Sequence, residues 1–355
     1  MRRASRLALP FVAVAMSTGP VSADVKTFRD WLASCDNVRS CSAFALTENS
    51  SGVFLRLDRD GAPSALPRLT VLIDAEEGTR VELAFDDKTL AGLPKGAVTA
   101  KPVNDLMHIE IAPDAIEPFI ASLHKAGKIV VSRAEPKAGE ESVIGEISLS
   151  GAVATLLWLD EQQKRLDTAT ALVKRGAKPA TAVPAPPALP VIHAARPGAA
   201  PSEKTFPKAV LAKGRTVCGG DDPHPEPGDI NALSGNLLAY WFECRAMSGA
   251  YNAWSALVIA PSDKPEAARV VQLPYPPGET TIAGMPKDLI VNAGFDEKTL
   301  TLTMFAKDRG PGDCGTSGEW VFDGKDFRLM RYQSMPTCGG LVSDEWPVTY
   351  RAKVE

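Results

Sequence analysis

Histidine is scarce in this chain, and none of the four, His108, His124, His193 and His224, stands at His-x-x-x-His spacing from another. The cysteines include no Cys-x-x-Cys pair. These two absences remove the usual geometry of a zinc site and of a thioredoxin-like exchange site. No Gly-x-Ser-x-Gly elbow, His-Glu-x-x-His helix, phosphate loop or dinucleotide fingerprint occurs either, so no catalytic motif, metal or cofactor is expected. Asp58–Gly61 begins like a calcium loop, but the place of the bidentate glutamate is taken by Leu69, and an ordinary turn is the better reading.

Long apolar runs and clustered basic residues are also missing. Beyond the N-terminus no stretch is long enough for a transmembrane helix, and acidic and basic residues are interspersed throughout. A nucleic-acid partner needs a clustered cationic face, which disfavours that class.

What is present begins with an export pattern. A basic start, Met1 to Arg6, precedes an apolar run from Leu7 to Met16 and the small residues Val21, Ser22 and Ala23. This reads as a signal peptide over residues 1–23, cleaved before Asp24, which gives a soluble periplasmic or secreted protein. Loss of Arg2, Arg3 and Arg6 leaves the mature chain three units more acidic than the full-length charge of −4.

From Ala177 to Ser202 alanine and proline dominate, with prolines at 179, 184, 186, 187, 190, 197 and 201. Their fixed φ and missing donors exclude helix and central strand. The segment reads as a semi-rigid spacer with a reach on the order of 80 Å. It separates an N-terminal domain, 24–176, from a C-terminal domain, 203–355.

The fold class expected is mainly β with two helices. In the first domain, short alternating runs between Thr27 and Ile111 are punctuated by Gly and Pro, the pattern of an antiparallel, sandwich-like β domain. Asp114 and Glu117 form a capping-box pattern ahead of Phe119, Ile120 and Leu123, which predicts a short helix ending by Gly127. A longer helix is expected from near Ser150 to Arg175, its stripe of Ala152, Leu156, Leu159, Leu166, Ala169 and Val173 lying on the sheet. The block Asp160 to Arg165 interrupts that stripe, and most of it reads as a solvated face. The second domain reads as an all-β antiparallel meander, sandwich or partly open barrel, with a hairpin about Asp323 and Gly324.

Six cysteines in an exported chain should be oxidised. Pairing within each domain forces Cys35 to Cys41. For Cys218, Cys244, Cys314 and Cys338, sequential pairs are favoured because each would clamp neighbouring strands. Two polar patches are candidate binding residues: Tyr251 with Asn252, and the glycine-rich loop bearing Asp308, Arg309 and Asp313. An arginine beside acids could hold a carboxylate or a sugar. The competing reading makes Asp308 and Asp313 organisers of a disulfide-anchored turn, with Arg309 pairing one of them.

The residues Phe28 to Trp31, Cys35 to Asn37, Cys41 to Ala43, Ser148 to Gly151, Leu157 to Asp160, Gly249 to Asn252, Gly312 to Gly315 and Cys338 to Gly340 resemble the exported bacterial six-cysteine family known as domain of unknown function 1176. The Phe-x-Asp-Trp opening and the Ser-Leu-x-Gly helix entry are also similar to invasion-associated locus B proteins. These resemblances imply a β-sandwich and a periplasmic address, and bring no catalytic residue. The expected role is a non-enzymatic binding or envelope-maintenance protein with an envelope protein or glycan as partner. The alternatives are an inhibitor of a cell-wall hydrolase such as lysozyme, or an envelope glycan or peptide hydrolase using Asp308 and Asp313 as acid and base.

Overall fold

The computed structural model describes residues 24–46, 52–199, 201–202, 205–219, 226–277 and 287–355. The proposed leader, 1–23, lies outside the described residues.

The N-terminal half is built on a seven-stranded antiparallel sheet in the order Asp24–Phe28, Trp31–Cys35, Cys41–Ala45, Val53–Arg59, Arg68–Ile73, Leu106–Glu110 and Lys101–Val103. A second sheet orders Val143–Ser148, Lys128–Arg133, Arg80–Phe85 and Val98–Thr99. One apolar core takes Trp31, Ala43, Leu55, Leu57 and Val71 from the first sheet and Val81, Phe85, Ile129, Val131 and Ile147 from the second. Helices α1, Pro113–Ser122, and α2, Ala152–Gln162, add Phe119, Ile120, Leu156 and Leu159 to it.

Both helices depart from expectation at their ends. Helix α1 starts on Pro113 with Ala112 at its N-cap and no side-chain cap. A proline at the first helical position presets φ and lacks only a donor that would be unsatisfied anyway, so the capping box is not formed. Glu117 pairs with Arg175 instead. Helix α2 stops at Gln162, well short of Arg175. Lys164 and Asp167 take left-handed backbone conformations, and the Asp160 carboxylate accepts the N–H groups of Leu172 (2.7 Å) and Val173 (3.1 Å), folding the chain back.

The block Asp160 to Arg165 is therefore solvated only in part, at Glu161 and Lys164. Asp160, Gln163 and Arg165 are fully buried, together with Arg59 from the strand Val53–Arg59. Arg59 donates to Asp160 (2.6 Å) and Gln163 (2.5 Å), while Arg165 donates to Gln163, Thr170 and the carbonyls of Ala62 and Pro63. Burial, and secondly the Arg59 charge, lowers Arg165 to about 10, so it stays charged at neutral pH; burial also lowers the pKa of Arg59, opposed by Asp160.

The C-terminal half has two antiparallel five-stranded sheets, neither closed into a barrel. One orders Glu226–Ala232, Leu237–Glu243, Trp254–Pro261 and Arg269–Val270, with Leu289–Val291 also on Trp254–Pro261. The other orders Gly294–Asp296, Thr301–Lys307, Gly315–Phe322, Phe327–Met335 and Val348–Arg351. Both feed one core that includes Tyr240, Phe242, Leu257, Leu302, Trp320 and Tyr332. This half is not all-β: helix α3 spans Lys208–Val217. Its Gly214 lies so close to Phe242 that a Cβ there would fall 2.4 Å from the ring, which explains a residue that weakens the helical signal.

The disulfides are Cys35–Cys41, Cys218–Cys244 and Cys314–Cys338. Cys35 and Cys41 are register partners on adjacent strands, with Cα atoms 4.1 Å apart.

The two halves share a third apolar cluster. Leu32, Phe44, Phe54, Leu72 and Leu106 from the seven-stranded sheet, with Leu46 just past it, meet Cys314, Met335, Leu341 and Trp346. Side chains alternate between the faces of a strand, so that sheet is covered on both faces. A buried carboxylate, Glu345, reaches across this seam to Arg56, to Asn104 (3.1 Å) and to within 3.2 Å of His108 Nε2. Burial holds His108 below its ordinary pKa of 6.5 against the pull of Glu345.

Among the described residues the 177–202 segment forms a bridge from Lys178 to Thr168, a turn of 3₁₀ helix, Ala180–Ala182, and a two-residue strand, Val191–Ile192, parallel to Lys353–Val354. It is bonded to the body along its length, through Lys178 to Ala169 (2.8 Å), Ala195 to Phe322 (2.9 Å) and Gly198 to Leu233 (2.6 Å). The prolines do exclude helix and central strand, but the segment does not stand free as an extended spacer.

Asp160→Ala should destabilise the N-terminal half by about 3–5 kcal/mol, because it leaves buried positive charge without its counter-ion. Guanidinium denaturation against wild type measures this, and a change within experimental error would mean that the network is dispensable.

Candidate binding cleft

A cavity of about 1130 Å³ opens where both halves and the 177–202 segment meet. Each wall comes from a different part of the chain. The N-terminal half contributes Asn37 and Arg39 from the turn between the paired cysteines. The middle segment contributes Pro187, Ala188 and Pro190 through His193. The C-terminal half contributes Pro274, Tyr275, Pro277, Asp323, Arg328, Leu329 and Tyr350.

The Asn37–Arg39 wall is fixed by local chemistry. Asp36 is buried and accepts the N–H groups of Val38 (2.9 Å) and Ser40 (2.8 Å), and its other oxygen lies 2.5 Å from Arg351. Burial raises the Asp36 pKa, opposed by Arg351 and those N–H groups. Asn37 exchanges two hydrogen bonds with the main chain of Arg351, both 2.9 Å. Arg39 follows in a left-handed conformation (φ 59°), with its carbonyl accepting from Gln163 (2.8 Å).

The opposite wall is aromatic. Tyr275 packs edge-on against Trp320 and Tyr332, with centroids 5.8 Å away in each case. Burial pushes its phenol up to about 12 and also raises Tyr350, so both rings are neutral at physiological pH. Arg328 is paired with Asp323 at 2.6 Å. The lining thus offers apolar contact, neutral rings and few charges, the composition of a site that holds a ligand. Among the described residues no cluster of His, Cys, Asp or Glu could hold a metal ion.

The sequence-derived candidates lie elsewhere, and none of them lines the cleft. The structure does bring the two patches together. Asn252 donates to the Lys307 carbonyl (2.8 Å) and accepts the Lys307 N–H (3.1 Å), and Tyr251 Oη approaches the Asp308 carbonyl at 3.4 Å. Arg309 pairs with Asp313 and donates to the Cys338 carbonyl (3.2 Å), while Asp313 also accepts the Gly340 N–H (2.6 Å). The hydrogen bond from Arg309 chiefly lowers the Asp313 pKa, whereas burial raises that of Asp308. Asp313 therefore ties together the two strand ends joined by Cys314–Cys338.

Sequence reasoning missed Arg39, Tyr275, Tyr350 and the strand at Val191. A basic residue inside the short loop between the paired Cys35 and Cys41, and a tyrosine set among Pro274, Pro276 and Pro277, were the available signals. Asp313→Ala should lower stability by about 1–3 kcal/mol, because the bonds that Arg309 and the Gly340 N–H make to its charged carboxylate are lost. Tyr251→Ala, at a residue 43% exposed, should leave the melting temperature nearly unchanged. Thermal unfolding of the two variants checks both outcomes.

No solved structure matches the chain. Over 341 residues the chain is 31% identical to the uncharacterized protein YpfG of Escherichia coli (strain K12), a match that covers 92% of each protein. The family described as "Protein of unknown function (DUF1176)" matches residues 25–353, both halves and the segment between them included. The chain belongs to that family.

Proposed function

We propose that the protein is a non-enzymatic binding protein of the bacterial periplasm, exported by a leader cleaved after Ala23, and that the cleft between its halves holds the ligand. The observation that carries this reading is the cleft itself, about 1130 Å³ and walled by three separate parts of the chain. Its tyrosines are held neutral by burial, which suits them to contact and hydrogen bonding rather than to attack on a substrate. Three disulfides fit an oxidising compartment, and among the described residues no helix is long and apolar enough to cross a membrane. The N-terminal resemblance to locus B proteins fits the same address. The envelope supplies both proteins and glycans as partners.

Ala188 is exposed on the cleft wall, so Ala188→Trp should fill the cleft without disturbing a core. A thermal-shift screen of peptides, glycan fragments and fractionated periplasmic extract compares the two proteins. A ligand at about 100 times its Kd adds about 2.7 kcal/mol of stability, so a true occupant should raise the melting temperature of wild type and leave Ala188→Trp unmoved. Equal shifts in both proteins for every stabilising compound, or no shift in either, would refute the reading.

A further inference from the structure

Arg39 brings an unanswered positive charge to the cleft. Among the described residues no carboxylate pairs with it; the residue is half-buried on the cleft wall, and its inward Nη1 has no hydrogen-bond partner. The neighbouring cation, Arg328, is already matched by Asp323. Desolvating a guanidinium nitrogen without a partner is unfavourable, and the side chain stays where it is because the disulfide-closed turn fixes its backbone. The group complementary to it is an anion with planar oxygen acceptors.

The middle wall supplies a second feature, an open strand edge. The N–H of Lys353 donates to the Pro190 carbonyl (2.8 Å), that of Glu355 to Ile192 (2.9 Å), and that of Ala194 to Glu355 (2.9 Å). The N–H and C=O of one strand residue point to the same side, and successive residues alternate. Pro190, Ile192 and Ala194 therefore face Lys353–Val354, and the main-chain groups of Val191 and His193 point the other way. Leu189 and Val191, 40% and 50% exposed, lie along that edge, and an exposed apolar edge is a template for another strand. The wall of Tyr275, Tyr350 and Leu329 offers apolar surface for alternate side chains of such a strand.

We propose that the cleft binds an extended peptide bearing a carboxylate, which pairs as a strand with the Val191–His193 edge and sets its carboxylate on Arg39. The inference rests on the cleft being the ligand site and adds the class of occupant. A glycan could use the arginine and the tyrosines, but it has no ladder of alternating N–H and C=O groups to match the edge.

The test uses the whole mature chain. Random heptapeptides with free C-termini are selected on wild type by display, and the selected sequences are synthesised and titrated calorimetrically. Arg39→Asn keeps a residue that tolerates the left-handed backbone, and Val191→Pro deletes one outward N–H while leaving the bonds to Lys353–Val354. Each should weaken binding about tenfold or more, with melting temperatures near wild type. Amidation of the peptide C-terminus, or replacement of its acidic side chains by amides, should identify which carboxylate is used, and that loss should not add to the loss from Arg39→Asn. Because the peptide arm leaves the protein untouched, it decides the matter even if a variant folds poorly. Affinities unchanged in both variants and by both peptide modifications would overturn the inference, as would a selection yielding no peptide blocked by Ala188→Trp. A glycan or other non-peptide ligand that Ala188→Trp blocks would leave the binding cleft standing and remove the peptide.

Discussion

The contact of buried Asp36 with Arg351, with the paired Asn37 bonds beside it, fixes how the two ends of the chain meet. A carboxylate taken out of water is expensive unless opposite charge and hydrogen bonds surround it, and here Arg351 and two turn N–H groups do so. Cys35–Cys41 closes the turn that presents Asp36 and Asn37 to Arg351. Two residues beyond Arg351, Lys353–Val354 holds the Val191–Ile192 strand. One anchored turn therefore places the unpaired arginine, the Tyr350 wall and the open strand edge in register with one another.

Around that anchor the halves are joined by apolar surface as well as charge. The seven-stranded sheet would face water on one side if the N-terminal half stood alone. Instead Phe44, Phe54 and Leu72 are buried against Met335, Leu341 and Trp346. At about 25 cal/mol per Å² of apolar surface removed from water, a contact of this kind outweighs an isolated surface ion pair, which contributes at most about 1 kcal/mol. Glu345 is inside the seam and not at its rim, so it constrains orientation by what misalignment would leave unsatisfied.

The antiparallel β character, the sequential disulfides and the buried stripe at Phe119, Ile120 and Leu156 were legible because each is a local pattern of alternation, spacing or period. The second buried sheet face was also written in the sequence, since Leu32, Phe44 and Phe54 are apolar where a wet face would be polar, but nothing local said what covers it. The buried Arg59, Asp160, Gln163 and Arg165 network defeats a local reading for a physical reason: the same residues form a solvated helix face unless a distant arginine meets them, and Arg59 is about a hundred positions away. The cleft is harder still. Arg39, Val191 and Tyr350 come from three distant parts of the chain, while Arg309 and Asp313, conspicuous by composition, pair with each other at a disulfide-linked turn.

The shared core should make the two halves one cooperative body. Differential scanning calorimetry of the oxidised mature protein tests this directly. It predicts a single endotherm whose calorimetric enthalpy equals its van't Hoff enthalpy. Two separable transitions, with the N-terminal half unfolding independently of the C-terminal half, would contradict it.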